Sequence, residues 1–296
     1  MKKLLRNIVF IFALLVCVNT NTQAQVAKSL AEMTDKIDSL NLSNQELTEI
    51  PVKVFQFKNL KYLRLFNNQL TILPKEIGEL KNLISLDVSW NKLTSLPKEI
   101  GELKKLTELN LSNNKLTSLP KEIEELQNLK SINLEGNHFS TLPKQVIALK
   151  NLTSLELSWN KLTSLPKEIG EMKNLEVLYL GVNSLKSLPK EIGQLQNLKS
   201  LNLNINQFTT LPKEIIKLTN LTILYLGENR LTSLSKEIGQ LKNITKLHLH
   251  GNQLTILPKE IGKLKKLKRL ELPDNPFSYA EIDEIKKMLP NCEVIF

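Results

Sequence analysis

Fourteen residues, SWNKLTSLPKEIGE, occur twice in this chain without a change, at 89–102 and at 158–171. The copies start 69 residues apart, three times 23, and at a period of 23 the chain aligns with itself in eleven units with no insertion or deletion. The units begin at Ile37, Leu60, Leu83, Leu106, Leu129, Leu152, Leu175, Leu198, Leu221, Ile244 and Leu267. In the third, LISLDVSWNKLTSLPKEIGELKK, apolar residues fall at positions 1, 4, 6, 11, 14, 18 and 21: Leu83, Leu86, Val88, Leu93, Leu96, Ile100 and Leu103. Alternation through positions 3 to 6 has the period of a strand, so Leu86 and Val88 point one way and Asp87 the other. A single short strand cannot bury its apolar side, whereas strands stacked about 4.8 Å apart can.

Position 9 is asparagine in ten of the eleven units, with Gln45 in the first. A short amide there can satisfy backbone groups of its own turn and of the next one. Gln45 marks a terminal unit without an upstream neighbour. Position 15 is proline from Pro51 to Pro258, broken only by Ser235, and opens the segment PKEIGEL. Its fixed φ suits a first helical turn, after which Ile100 and Leu103 form the inward stripe of a short outer helix. The Lys and Glu beside them read as a solvated face.

The pattern L-x-x-L-x-L-x-x-N-x-L resembles the leucine-rich repeat over 37–296, and most closely the 23-residue LPKEIGxLxNL type of the secreted leptospiral proteins. The intracellular Ras-group leucine-rich repeat proteins of animals and plants are also similar. The resemblance implies a right-handed α/β solenoid, with a parallel sheet on the concave face and short helices or 3-10 turns on the convex one. The repeats then occupy 37–277. Residues 25–36, with Val26, Leu30 and Met33, read as an N-terminal cap. Residues 278–296 read as a C-terminal cap whose helix carries Ile282, Ile285 and Leu289, with Val294 and Phe296 closing the last apolar layer. Ser278 fits its N-cap, with Glu281 three residues on.

The N-terminus is basic (MKKLLRN), then apolar over 8–18, then polar up to Ala24. Eleven apolar residues are too few to span a bilayer as a helix, so residues 1–24 read as a cleaved signal peptide and the protein as exported: secreted, surface-attached or periplasmic. Val16 stands where a lipobox needs a small residue, which argues against lipidation at Cys17. Cys292 is then the remaining cysteine, a small hydrophobe without a disulfide partner. The formal charge of +10 includes Lys2, Lys3 and Arg6 of the leader, and the remaining charges interleave. No block of basic residues points to nucleic acid.

With the core positions assigned, the family resemblance directs binding to the inner sheet and the loop after it. There position 5 brings Arg64, Asp87, Glu156, Tyr179 and Tyr225, and position 8 brings Trp90, Trp159 and Glu228. Tyr62 and Phe66 precede these tryptophans, and Val182, Ile205 and Ile223 follow. Exposed aromatics are usual anchors of protein contacts, with the charged members adding complementarity. His248, His250 and Glu271 form a weaker candidate for a metal. Motifs for phosphate loops, zinc hydrolases and nucleophile elbows do not occur, and no cofactor is implied. The expected function is therefore non-enzymatic: a protein-binding scaffold, adhesin-like by the leptospiral resemblance, with a host surface or matrix protein as partner. A self-associating envelope protein and a carbohydrate-binding module are the alternatives.

Overall fold

The computed structural model describes Leu30 and residues 36–296. The expected leader with Cys17, and the cap positions Val26 and Met33, lie outside the described residues. Leu30 is helical and fully buried. The chain divides into two compact units, one running to His138 with Pro143–Asn151, the other comprising Phe139–Leu142 and Leu152–Phe296.

The first unit carries strands β1 (Ser39–Asn41), β2 (Tyr62–Arg64), β3 (Ser85–Asp87), β4 (Glu108–Asn110) and β5 (Ser131–Asn133). They pair in parallel and in strict repeat register, as in Leu40↔Leu63 and Leu63↔Leu86. The second unit carries β6 (Ser154–Glu156), β7 (Val177–Tyr179), β8 (Ser200–Asn202), β9 (Ile223–Tyr225), β10 (Lys246–His248), β11 (Arg269–Glu271) and β12 (Glu293–Ile295). These also pair in parallel, each with the next. Each unit is thus a stack of 23-residue turns. Positions 1, 4, 6, 11, 14, 18 and 21 are buried in the first ten repeats, as at Leu83, Leu86, Val88, Leu93, Leu96, Ile100 and Leu103. Removing that apolar surface from water, at about 1.5–3 kcal/mol per large side chain, is what drives the stacking.

The outer segments are mainly 3-10 turns, such as Lys98–Glu102 and Lys167–Glu171, with one short α-helix at Lys144–Ile147. Proline does not lie inside the first helical turn as its φ suggested. Pro97 has φ −70° and ψ 151°, an extended residue just before the turn, and its carbonyl accepts the Ile100 N–H at 3.1 Å. Within a turn, Gly101 lets its neighbour close in, since a Cβ there would stand 2.5 Å from the Glu122 carbonyl oxygen. Lysines at position 22 reach the next repeat's position 20, as in Lys81–Glu102 at 3.7 Å. Such exposed pairs add little stability.

Position 9 holds the turns together, but it reaches backwards along the chain rather than to the next repeat. Asn206 donates from Nδ2 to Leu203 O of its own repeat (3.2 Å) and to Leu180 O of the preceding one (2.9 Å). Its Oδ1 accepts Leu185 N–H, also of the preceding repeat, at 2.9 Å. Asn68 makes the same set with Leu65, Leu42 and Leu47. The first repeat has no preceding repeat among the described residues, and Gln45 instead donates to Ser43 O.

The C-terminal cap departs from expectation in three ways. Ser278 caps helix Tyr279–Met288 by accepting the Glu281 N–H at 3.2 Å, but the Glu281 carboxylate accepts Leu257 N–H at 3.0 Å instead of closing a capping box. Residues 293–295 form a strand, in which Val294 pairs with Leu270 and stays only half-buried, and Phe296 remains exposed. Cys292 is likewise half-buried, and burial, then Glu293, push its thiol up to about 11.

Replacing Asn206 by Ala strands a buried N–H and two carbonyls. It should lower unfolding stability by roughly 3 kcal/mol in urea titration, while Gln45→Ala should lower it by less than about 1 kcal/mol. Equal effects at the two positions would contradict the backward ladder.

Candidate functional site

Immediately before each asparagine lies position 8, and its backbone is left-handed in every repeat, with φ between 51° and 63°. The cause is the ladder itself. Position 8 still donates its N–H to the position-7 carbonyl of the next repeat, as Trp90 N does to Ser112 O (2.9 Å) and Ile205 N to Gly227 O (2.9 Å). One residue later, in ten of the repeats, the asparagine side chain enters the core and the chain bends sharply between the two; Asn44 shares the bend although Gln45 follows it. Asn, Asp and Gly tolerate this conformation, and Asn44, Asn67, Asn113, Gly136, Gly251 and Asp274 accordingly occupy six of these positions. Trp90, Trp159, Val182, Ile205 and Glu228 take the other five against that preference, at about 1–2 kcal/mol each. Trp90 is 55% exposed, Trp159 59% and Ile205 46%, so core burial does not repay the strain.

In the first unit the expected residues divide. Tyr62 and Arg64 on β2 are exposed, Phe66 is half-buried and Trp90 follows β3. Asp87 is different: its Oδ1 accepts Ser89 N–H at 3.0 Å and Ser89 Oγ–H at 2.5 Å. Position 5 makes this local turn bond in several repeats, with Asn41, Asn110 and Asn133 in the first unit and Glu156 and Asn202 in the second. One carboxylate oxygen of Asp87 and one of Glu156 is thus bonded within its own turn.

Repeats seven, nine and ten of the second unit abandon that bond. Tyr179, Tyr225 and His248 stand at position 5, half-buried. The position-7 N–H groups find partners elsewhere: Gly181 N donates to Ser158 Oγ at 3.1 Å and Gly227 N to Asn204 Oδ1 at 2.7 Å, both in the preceding repeat. This substitution of a neighbour's side chain frees position 5 for an aromatic ring. Glycine at 227 also makes room for the His250 ring, which a Cβ there would meet at 2.2 Å. Glu228, exposed at position 8, lies against Gly251.

The histidines do not assemble a metal site, and among the described residues no three His, Cys, Asp or Glu side chains are placed to hold an ion. His248 Nδ1 and Glu271 Oε2 are 2.5 Å apart, and Arg269 Nε donates to the other Glu271 oxygen at 2.6 Å. The His248 ring stacks on Tyr225 with centroids 4.4 Å apart, and its Nε2 is buried without a partner. His250 instead lies over Gly227. Burial holds the His248 ring below its ordinary value, with Glu271 only partly offsetting it. For Glu271 burial acts upward, but the bonds from Arg269 and His248 outweigh it and leave the carboxyl low. Burial, then Tyr179 and Glu271, raise the Tyr225 hydroxyl.

A family model described as a leucine-rich repeat region matches residues 108–183 and 178–273, and another described as a leucine rich repeat matches 35–93. The chain belongs to the leucine-rich repeat proteins. Among solved structures, a leucine-rich repeat protein of Leptospira interrogans is 40% identical, with a TM-score of 0.53, covering 88% of this chain and 84% of that one. The leucine-rich repeat ectodomain of the Arabidopsis receptor kinase HAESA, in complex with a peptide hormone ligand, is 28% identical with a TM-score of 0.70. That match covers 87% of this chain and 47% of the receptor. An internalin from Listeria monocytogenes is 21% identical with a TM-score of 0.72, covering 92% of this chain and 88% of the internalin, and shows the shared fold. A search of curated proteins returns no match.

Sequence reasoning placed Trp90 and Trp159 on this leucine-rich repeat surface but missed the backbone beneath them. The recurrence of Asn, Gly and Asp at position 8 was the available signal. Two measurements follow. Ile205→Asn should raise unfolding stability by about 1 kcal/mol and Asn113→Ile should lower it by a similar amount, both read by urea titration; a loss of stability in Ile205→Asn would contradict the strain. Because the folded His248 ring resists protonation, the stability its neutral form contributes is present above about pH 6.5 and lost as pH falls below that value. The urea midpoint should therefore drop more between pH 7 and 5 in the parent than in His248→Gln; parallel curves would contradict this.

Proposed function

We propose that this chain is an exported, non-enzymatic scaffold that binds another protein through the solvent face of its sheets and the position-8 loop behind it. The observation that carries the reading is the set Trp90, Trp159, Val182 and Ile205, apolar residues in a left-handed backbone that favours Asn or Gly. Backbone preference does not select them, and Trp90, Trp159 and Ile205 are too exposed for core packing to do so, which leaves contact with a partner. Tyr62, Arg64 and Phe66 flank Trp90 in the first unit. Tyr179, Tyr225 and Glu228 extend the surface in the second. The receptor ectodomain with its peptide hormone supports the use of such a fold for polypeptide recognition. The leader-like residues 1–24 and the leptospiral likeness favour export and an adhesin-like role toward a host surface or matrix protein. Among the described residues no helix is long and apolar enough to cross a membrane.

The test is saturable binding of the purified chain to intact mammalian cells and to immobilised matrix proteins, beside Trp90→Asn, Trp159→Asn and the double variant. Asparagine suits the backbone, so the variants should melt no lower than the parent. Each anchor lost should weaken binding about tenfold or more. Binding unchanged in the double variant would remove the tryptophans from the interface. Binding only to bacterial envelope fractions would replace the host partner with an envelope one.

A further inference from the structure

Four consecutive repeats of the second unit, the sixth to the ninth, place Trp159, Val182, Ile205 and Glu228 at position 8. This is the longest run of position-8 residues that the backbone disfavours. Each donates its N–H to the next repeat's position-7 carbonyl: Trp159 to Gly181 O at 2.9 Å, Val182 to Asn204 O at 2.9 Å, Ile205 to Gly227 O at 2.9 Å and Glu228 to His250 O at 2.8 Å. The sheet ladder therefore continues through the loop and holds these residues at strand separation, about 4.8 Å per repeat. From Trp159 to Glu228 is then about 14 Å along the column. An extended polypeptide covers that distance in about four residues, at 3.3–3.4 Å each, and turns alternate side chains to the same side. Three side chains, at i, i+2 and i+4, thus match the column. The first two meet Trp159, Val182 and Ile205, which are apolar. The third meets Glu228, an exposed carboxylate.

Resting on the protein-binding reading above, we infer that this column recognises an extended segment of the partner with the pattern apolar-x-apolar-x-basic, in either chain direction. Charge complementarity at Glu228 fixes the register, because sliding the segment by one repeat puts a cation against Ile205. Opposite charge steers and registers such a contact more than it tightens it, so the apolar pair carries most of the affinity.

The probes are fluorescein-labelled synthetic nonapeptides, Gly-Ser-Ile-Thr-Leu-Thr-Arg-Ser-Gly, its counterpart with Glu for Arg, and the reversed order of each, titrated by anisotropy against the full chain. The Arg peptides should bind about tenfold more tightly than the Glu peptides. Glu228→Lys should reverse that preference, and Ile205→Asn should weaken binding of all of them without lowering the melting temperature. A preference for the Glu peptides in the parent, which would assign recognition to Arg230 two residues on, overturns the inference. So does indifference to the Glu228→Lys exchange, or no binding to any peptide. Sedimentation showing a dimer that Ile205→Asn dissolves also overturns it, by assigning the column to a second copy of the chain. If cell or matrix binding is lost in the tryptophan variants while these peptides fail, the scaffold reading stands and only the peptide pattern falls.

Discussion

The buried asparagine at position 9 sets the terms for the rest of this molecule. Its amide joins the carbonyl of its own repeat to that of the repeat before, so the chain can turn off the sheet without leaving backbone groups stranded in an aliphatic interior. To bring that amide inward, the residue before it adopts a left-handed conformation while its N–H stays on the ladder. One interaction thereby produces both the regular stack and a row of strained, outward-facing positions.

Where that row carries Asn, Gly or Asp, local preference and fold agree. Where it carries Trp90, Trp159, Val182, Ile205 or Glu228, they conflict, and such conflicts concentrate where a surface serves a partner. The same trade recurs at position 5. Asp87 and Asn202 support their own turns, whereas Tyr179 and Tyr225 do not, and Ser158 and Asn204 of the preceding repeats take over the neglected N–H groups. The second unit is thus more heavily altered from the plain repeat than the first, and the alterations cluster between β7 and β10.

Much of this was legible from residue spacing alone. The period of 23, the strand alternation around Leu86 and the structural asparagines follow from which side of the chain must be dry, and periodicity reports that directly. The sign of φ at position 8 is not a matter of spacing; it depends on a hydrogen bond to the next repeat and a side chain turning inward one residue later. The engagement of Asp87 and Glu156 was hidden for a similar reason, since a carboxylate two residues before a backbone N–H reads the same whether it bonds that group or faces water. His248, His250 and Glu271 looked like ligands because strand period puts them on one face. Arg269, on the same strand, then claims Glu271, Tyr225 of the neighbouring strand claims His248, and Gly227 leaves a hollow that His250 fills. The strand at 293–295 depends on its pairing with β11, which no local pattern announces.

The measurement closest to the central claim is a saturation scan of position 8 in all eleven repeats, scored in parallel for resistance to proteolysis and for partner binding. At Asn44, Asn67, Asn113, Gly136, Gly251 and Asp274 the native residue should score best for stability, with little effect on binding. At Trp90, Trp159, Val182 and Ile205, Asn and Gly should raise stability and weaken binding, so that the two scores run in opposite directions there. If the native residues at those four positions prove best for stability as well, strain was never held there for a partner, and the reading of this surface as a binding face is wrong.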